Sequence, residues 1–147
     1  MTAPTITPAR IRLARLDEDL AGLGRARWLL AEGERLAAEH PREAFELVHR
    51  AALRGAGVLV QRANRDRRRR LPLNVWTALE RLGGDAALRS EQMAPMVAER
   101  ARLERSLDAL PDPVLLRRHI ELTALHLSAV SEALLEGMPQ QVVALAG

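Results

Sequence analysis

Apolar residues recur along this chain at steps of three and four, the spacing that places them on one side of an α-helix. The first stripe is Leu13, Leu16, Leu20, Leu23, Leu30 and Ala37, with acids and arginines between them. Thr7 followed by Pro8 supplies its start, since a hydroxyl can accept from the free amides of a first turn and proline suits the first helical position. Arg27 interrupts the stripe, and Gly22, Gly24 and Gly33 weaken it further, so a break or kink is expected within it. Pro41 disfavours helical geometry in His40 and should end the segment there.

Pro41 also opens a second stripe, Phe45, Val48, Ala52, Ala56 and Leu59. Gly55 and Gly57 lie inside it, and small residues at that density predict a neighbouring helix crossing closely. Residues 62–70, RANRDRRRR, have no apolar period and read as a connection. Leu71-Pro72-Leu73 is a stop, Asn74 can cap the short helix VWTALERL, and Gly83-Gly84 ends it. A fourth helix is predicted from Ser90 as N-cap to about Leu110, with Pro95 in its first turns. Asp112 and Pro113 then begin a last helix with Leu116, Ile120, Thr123, Leu127, Val130 and Leu134 on one face, ending near Gly137.

Ala and Leu dominate and β-branched runs are scarce, so the expected fold is all-α, an antiparallel four-to-five-helix bundle. The expected layout is a flexible tail over 1–7, one domain over 8–137, and a tail over 138–147. Val142, Val143 and Leu145 in that second tail are candidates for a subunit interface. Trp28, Phe45 and Trp76 are the only aromatic residues and are expected in the core. There is no cysteine, hence no disulfide and no thiolate metal site. No run reaches the roughly 18 apolar residues of a membrane span and the first residues lack a signal-peptide pattern, so a cytoplasmic protein without membrane attachment is expected.

Charge changes the picture less than it first suggests. The net charge is +3, yet the isoelectric point is about 11.0. All 22 basic residues are arginine, which keeps its proton throughout the accessible pH range. A total absence of lysine points to coding bias more than to selection for phosphate recognition.

The run AFELVHRAALRGAGVLVQRANRDRRRRLPLNVWTALERL, with AERARLERSLDALPDPVLLRRHIELTALHLSAVSEALL after it, resembles small bacterial helical proteins classed with the HEPN domains. The likeness spans roughly residues 16–136. It rests on an Ala-rich helix leading through a basic, Pro-containing link into a Trp-led helix. It implies a helical bundle that commonly dimerises, and in some members a metal-independent ribonuclease whose motif is an Arg, four to six residues, and a His. Arg35 to His40 and Arg42 to His49 have that spacing. In a chain with 22 arginines, such a short match arises readily by chance. The family places its motif late in the bundle, and here His119 and His126 have no Arg at the required distance.

Three groups could carry chemistry. Arg62, Arg65, Arg67, Arg68, Arg69 and Arg70 fall within nine residues and could meet the backbone of RNA or DNA, or a nucleotide. No aromatic residue lies among them to stack on a base. His119 and His126 share a face of the last helix with Leu115 and Leu122 beside them and Arg118 further round, an arrangement open to acid–base chemistry but lacking a visible third partner. Arg100 and Glu104, placed by the helical wheel among Met93, Met96, Val97, Leu103 and Leu107, form a candidate inward-facing charged pair. No metal or cofactor is expected. The reading is a HEPN-like binding or regulatory module that meets nucleic acid or a nucleotide at its Arg-rich loop, with a homodimer or another protein as partner. The alternatives are an Arg–His ribonuclease and a purely structural interaction bundle.

Overall fold

The computed structural model describes residues 5–136 and contains five helices and no strand among them. They are α1 (Pro8–Leu36), α2 (Pro41–Asn64), α3 (Val75–Leu82), α4 (Gly84–Arg105) and α5 (Pro113–Leu135). This is the all-α bundle that the apolar periodicity predicts. The expected tail over 138–147 lies outside the described residues. No described helix is long and apolar enough to cross a membrane.

The caps follow the sequence closely. Thr7 Oγ1 accepts from the Arg10 amide, Asn74 Oδ1 from Trp76 and Thr77, and Asp112 Oδ1 from Val114 and Leu115. Each supplies an acceptor for first-turn amides that have no partner inside the helix. α2 is the central element. Its one side meets α1 and α5 through Val48, Ala51, Ala56 and Leu59, packed with Leu23, Leu30, Leu127 and Val130. Its other side contributes Ala44, Phe45 and Ala52 to a second cluster with Met93, Met96, Leu103, Leu116 and Leu122 of α4 and α5. Phe45 is fully buried, which stabilises the fold by about 1.5–3 kcal/mol relative to leaving it in water.

Close helix crossings are built on glycine. A Cβ at Gly55 would lie 2.5 Å from Leu127 Cδ2, so α5 reaches the α2 backbone only because that Cβ is missing. At Gly57, also expected at such a crossing, an added Cβ would meet nothing within 4 Å among the described residues. On α1, a Cβ at Gly22 would come within 2.9 Å of Val58 and one at Gly33 within 2.7 Å of Val48. These glycines therefore permit packing on α2, and α1 runs unbroken where a break is expected.

Four expectations need correction. α1 ends at Leu36, a turn before His40. Trp28 is 63% exposed, on the side of α1 away from α2, and is not a core residue; Trp76 is half-buried. α2 continues to Asn64 and takes Arg62 into its last turn, which shortens the link. α4 starts at Gly84 rather than Ser90 and stops at Arg105. Gly83 and Gly84, with φ of 75° and 55°, end α3 and begin α4 through two successive positive-φ residues, a conformation that glycine adopts without strain. Ser90 is buried inside α4, where its hydroxyl donates to the Trp76 carbonyl instead of capping a helix.

Candidate functional site

The histidines expected on the last helix lie in the interior. His119 and His126 are both 0% exposed, and the partner that sequence reasoning missed is His49 of α2, 2% exposed. His49 Nδ1 and His119 Nε2 are 3.2 Å apart, and Thr123 Oγ1 is 3.2 Å from His119 Nδ1. One proton between the two rings satisfies the set in either direction. If His119 carries it on Nε2, the Thr123 hydroxyl donates to Nδ1. If His49 carries it on Nδ1, His119 donates from its own Nδ1 to Thr123. Phe45 stacks obliquely on His119 at 4.9 Å, and Trp76 stands 6.3 Å from both His49 and His126.

His126 is held separately. Arg89 of α4 donates from Nε to His126 Nδ1 at 3.0 Å, which leaves the imidazole proton on Nε2. That nitrogen is buried against Gly55 and has no hydrogen-bond partner among the described residues. The Ala52 carbonyl favours the proton without reaching hydrogen-bond geometry. Burial pushes all three imidazoles down, His49 to about 4, His119 to about 3 and His126 to about 4. Arg100 lowers His49 further, the His49 ring lowers His119, and Arg89 lowers His126. Values this low leave the three rings uncharged at neutral pH. Arg118, exposed on the outer face of α5, takes no part.

The expected Arg100–Glu104 pair has a different centre. Arg100 donates from Nε and a terminal nitrogen to the Glu46 carboxylate of α2, both at 2.9 Å, while Glu104 lies 3.8 Å away and is exposed. Arg100, with Arg50 on the other side, holds the Glu46 carboxyl below the usual carboxylate range. Val97 and Leu107, expected inside, are exposed, and the buried acid of α4 is Glu99. Glu99 accepts from Arg102 and from the Asp112 amide, tying the α4–α5 connection down. The same connection is held from α2. Arg42 donates to the carbonyls of Leu103, Ser106 and Ala109 at 2.6, 2.8 and 2.8 Å. Both Arg–His spacings are thereby accounted for. Arg42 is engaged by carbonyls while His49 faces His119, and Arg35 pairs with Glu32 while His40 is exposed.

The basic link is divided in the same way. Arg62 donates to the Ala133 carbonyl, and Arg65 makes two bonds to the buried Asp19 of α1, at 2.8 and 2.9 Å. Asn64 Oδ1 accepts from the Leu71 amide at 2.8 Å and Leu71 is buried, so the segment between them is closed at its base. Arg67, Arg68, Arg69 and Arg70 project from this closed loop, all exposed and with no carboxylate partner among the described residues. Below the loop, Arg12 and Arg15 of α1 line a cleft of about 240 Å³ with Arg62, Arg65, Asp19 and Asp66. The sequence signals the arginine run; it does not signal which members are engaged or that Arg12 and Arg15 join them.

No group of three or more candidate ligand side chains sits together for a metal among the described residues. No curated protein and no solved structure gives a match. A profile of the SAV_6107-like HEPN family matches residues 36–114, from the last residue of α1 through α2, the arginine loop, α3 and α4 to the first turn of α5. Covering just over half of the chain and the whole of its central unit, that match establishes that the chain belongs to the SAV_6107-like HEPN family.

Proposed function

We propose that this HEPN-family chain is a binding module that engages the phosphate backbone of RNA through Arg67–Arg70. The observation that carries the reading is the closed loop: four consecutive exposed arginines, with no acid pairing with any of them among the described residues, fixed at both ends by the Asn64–Leu71 bond. Four guanidinium groups held side by side repel one another, and a polyanion relieves that repulsion while releasing its counterions. A loop closed in advance loses less conformational freedom on binding than an open one. Arg12 and Arg15 extend the positive surface from the loop towards α1. The absence of aromatic residues from the loop favours backbone contact over base stacking, hence weak sequence preference.

The test is binding of a fluorescent single-stranded RNA across a salt series from about 50 to 200 mM. Affinity should fall steeply with salt, and replacing Arg67–Arg70 together by Ala should reduce the slope of log affinity against log salt by roughly 3, at about 0.7 per lost contact. Salt-independent binding, or a quadruple variant that binds as tightly as the parent, overturns the reading. The RNA should remain whole in the presence of a chelator; cleavage abolished by a histidine substitution would replace binding with metal-independent hydrolysis.

A further inference from the structure

A cleft of about 650 Å³ lies at the end of the bundle where the chain turns from α1 into α2. That volume is within the range of sites that hold small molecules. Ala37, Ala38 and Pro41 line it from the turn and the start of α2, and Leu110, Pro111 and Pro113 line it from the α4–α5 connection. That connection is held in place before anything binds. Arg42 donates to the Ser106 and Ala109 carbonyls, Arg102 donates to the Leu110 carbonyl at 2.9 Å, and the buried Glu99 accepts from the Asp112 amide at 2.8 Å. The two prolines stiffen the same segment. Leu110 is thereby kept 66% exposed at the cleft.

The lining selects its occupant. Arg117 of α5 is the only charged residue in it, and the only one whose side chain can form a hydrogen bond. It is exposed and has no carboxylate partner among the described residues. No lining residue is aromatic, so a nucleobase has no ring to stack on. Three are prolines, which have no N–H. An extended peptide laid here would bury N–H and C=O groups without partners. A saturated hydrocarbon chain carries no such groups, and a carboxylate at its end matches the fork of a guanidinium.

We propose that this cleft binds a medium-chain carboxylate. Its hydrocarbon chain lies against Pro41, Leu110 and Pro111, and its carboxylate accepts two hydrogen bonds from Arg117. A wall fixed in advance by polar bonds loses little freedom when the chain enters, so the burial of apolar surface on both sides is available to binding. The arginine loop follows the other end of α2, 24 residues and about 36 Å of helix away. The site is therefore separate from the phosphate surface and independent of the RNA reading.

Isothermal titration of the full chain with decanoate tests it. The heat should saturate at one decanoate per chain, while acetate, with the same headgroup and no chain, should give none. Arg117→Gln should weaken decanoate binding about tenfold or more, the usual loss for a charged hydrogen-bond partner. Arg118→Gln, at the next exposed arginine and outside the cleft, should leave it unchanged. Ala38→Trp puts a large ring into the cleft from an exposed position, so the helical circular dichroism should be retained and binding lost. Absence of saturable decanoate binding overturns the proposal, as does acetate binding as tightly as decanoate. So does decanoate binding that Ala38→Trp leaves intact, or that Arg118→Gln weakens as much as Arg117→Gln, since the carboxylate is then held elsewhere or by surface charge in general.

Discussion

The imidazole cluster and the arginine loop are both built from the two residue types that the Arg–His spacing draws attention to, and they end in opposite states. In the interior, His49, His119 and Thr123 satisfy one another, and Arg89 fixes the tautomer of His126. At the loop, the side chains of Arg67–Arg70 have no carboxylate partner among the described residues. A polar side chain is available for a partner only where the fold leaves it unengaged, and residue type and spacing say little about that. Arg42 makes the point within α2: it has a ribonuclease-like spacing to His49, yet three backbone carbonyls hold it.

The contrast is broken most forcefully with acid. The interior rings take up protons only near pH 4, 3 and 4, whereas in the unfolded chain histidine does so near its ordinary 6.5. Their contribution to stability is therefore complete above about pH 6.5 and is lost as pH falls towards 4, at about 1.4 kcal/mol per pH unit for each ring that stays neutral. Urea unfolding should show a stability at pH 5 about 5–6 kcal/mol below that at pH 7. A flat profile would mean that the rings are not held neutral. RNA binding by the still-folded chain should not change over the same range, because arginine does not titrate there.

Arg42→Ala comes next. It strips three carbonyl acceptors of a charged donor and should cost about 3 kcal/mol, read as a lowered urea midpoint at unchanged slope. No loss of stability would show that the connection after α4 does not depend on that clamp. Gly55→Ala sharpens the interior side, since its Cβ would press on Leu127 and on the His126 ring. The expected cost is about 2 kcal/mol, and a neutral result would mean that α5 can move away from α2 freely. The smallest effect belongs to the loop. Replacing Arg67–Arg70 by Ala should change stability by no more than about 0.5 kcal/mol while removing most of the RNA affinity. A large loss of stability would make those arginines structural.

The helices and their caps were legible because they depend on local chemistry. Pro41, Asn74, Gly83, Asp112 and Pro113 each mark a boundary through their own geometry or their nearest amides. Ser90 misled because a serine next to a helical pattern resembles a cap, whereas its hydroxyl is used on Trp76, a contact that needs the α3–α4 turn to exist first. Trp28 misled because hydrophobicity predicts burial without saying against what. The interior site was half legible. His119 and His126 share a face by spacing alone, but His49 and Glu46 reach them and Arg100 from α2, and no local pattern reports a contact made 54 or 70 residues away. The arginine run was legible as charge; its division between Arg62 and Arg65, which are engaged, and the four beyond them follows from where Ala133 and Asp19 arrive.

The Asn64–Leu71 bond makes the loop a replaceable cassette. One side-chain acceptor and one buried leucine fix both ends, so residues 66–70 can vary in composition, and even in length, with little closure penalty passed to the bundle. Under the RNA-binding proposal, a graft of another short sequence between these two anchors should change the affinity for RNA without redesigning the helices.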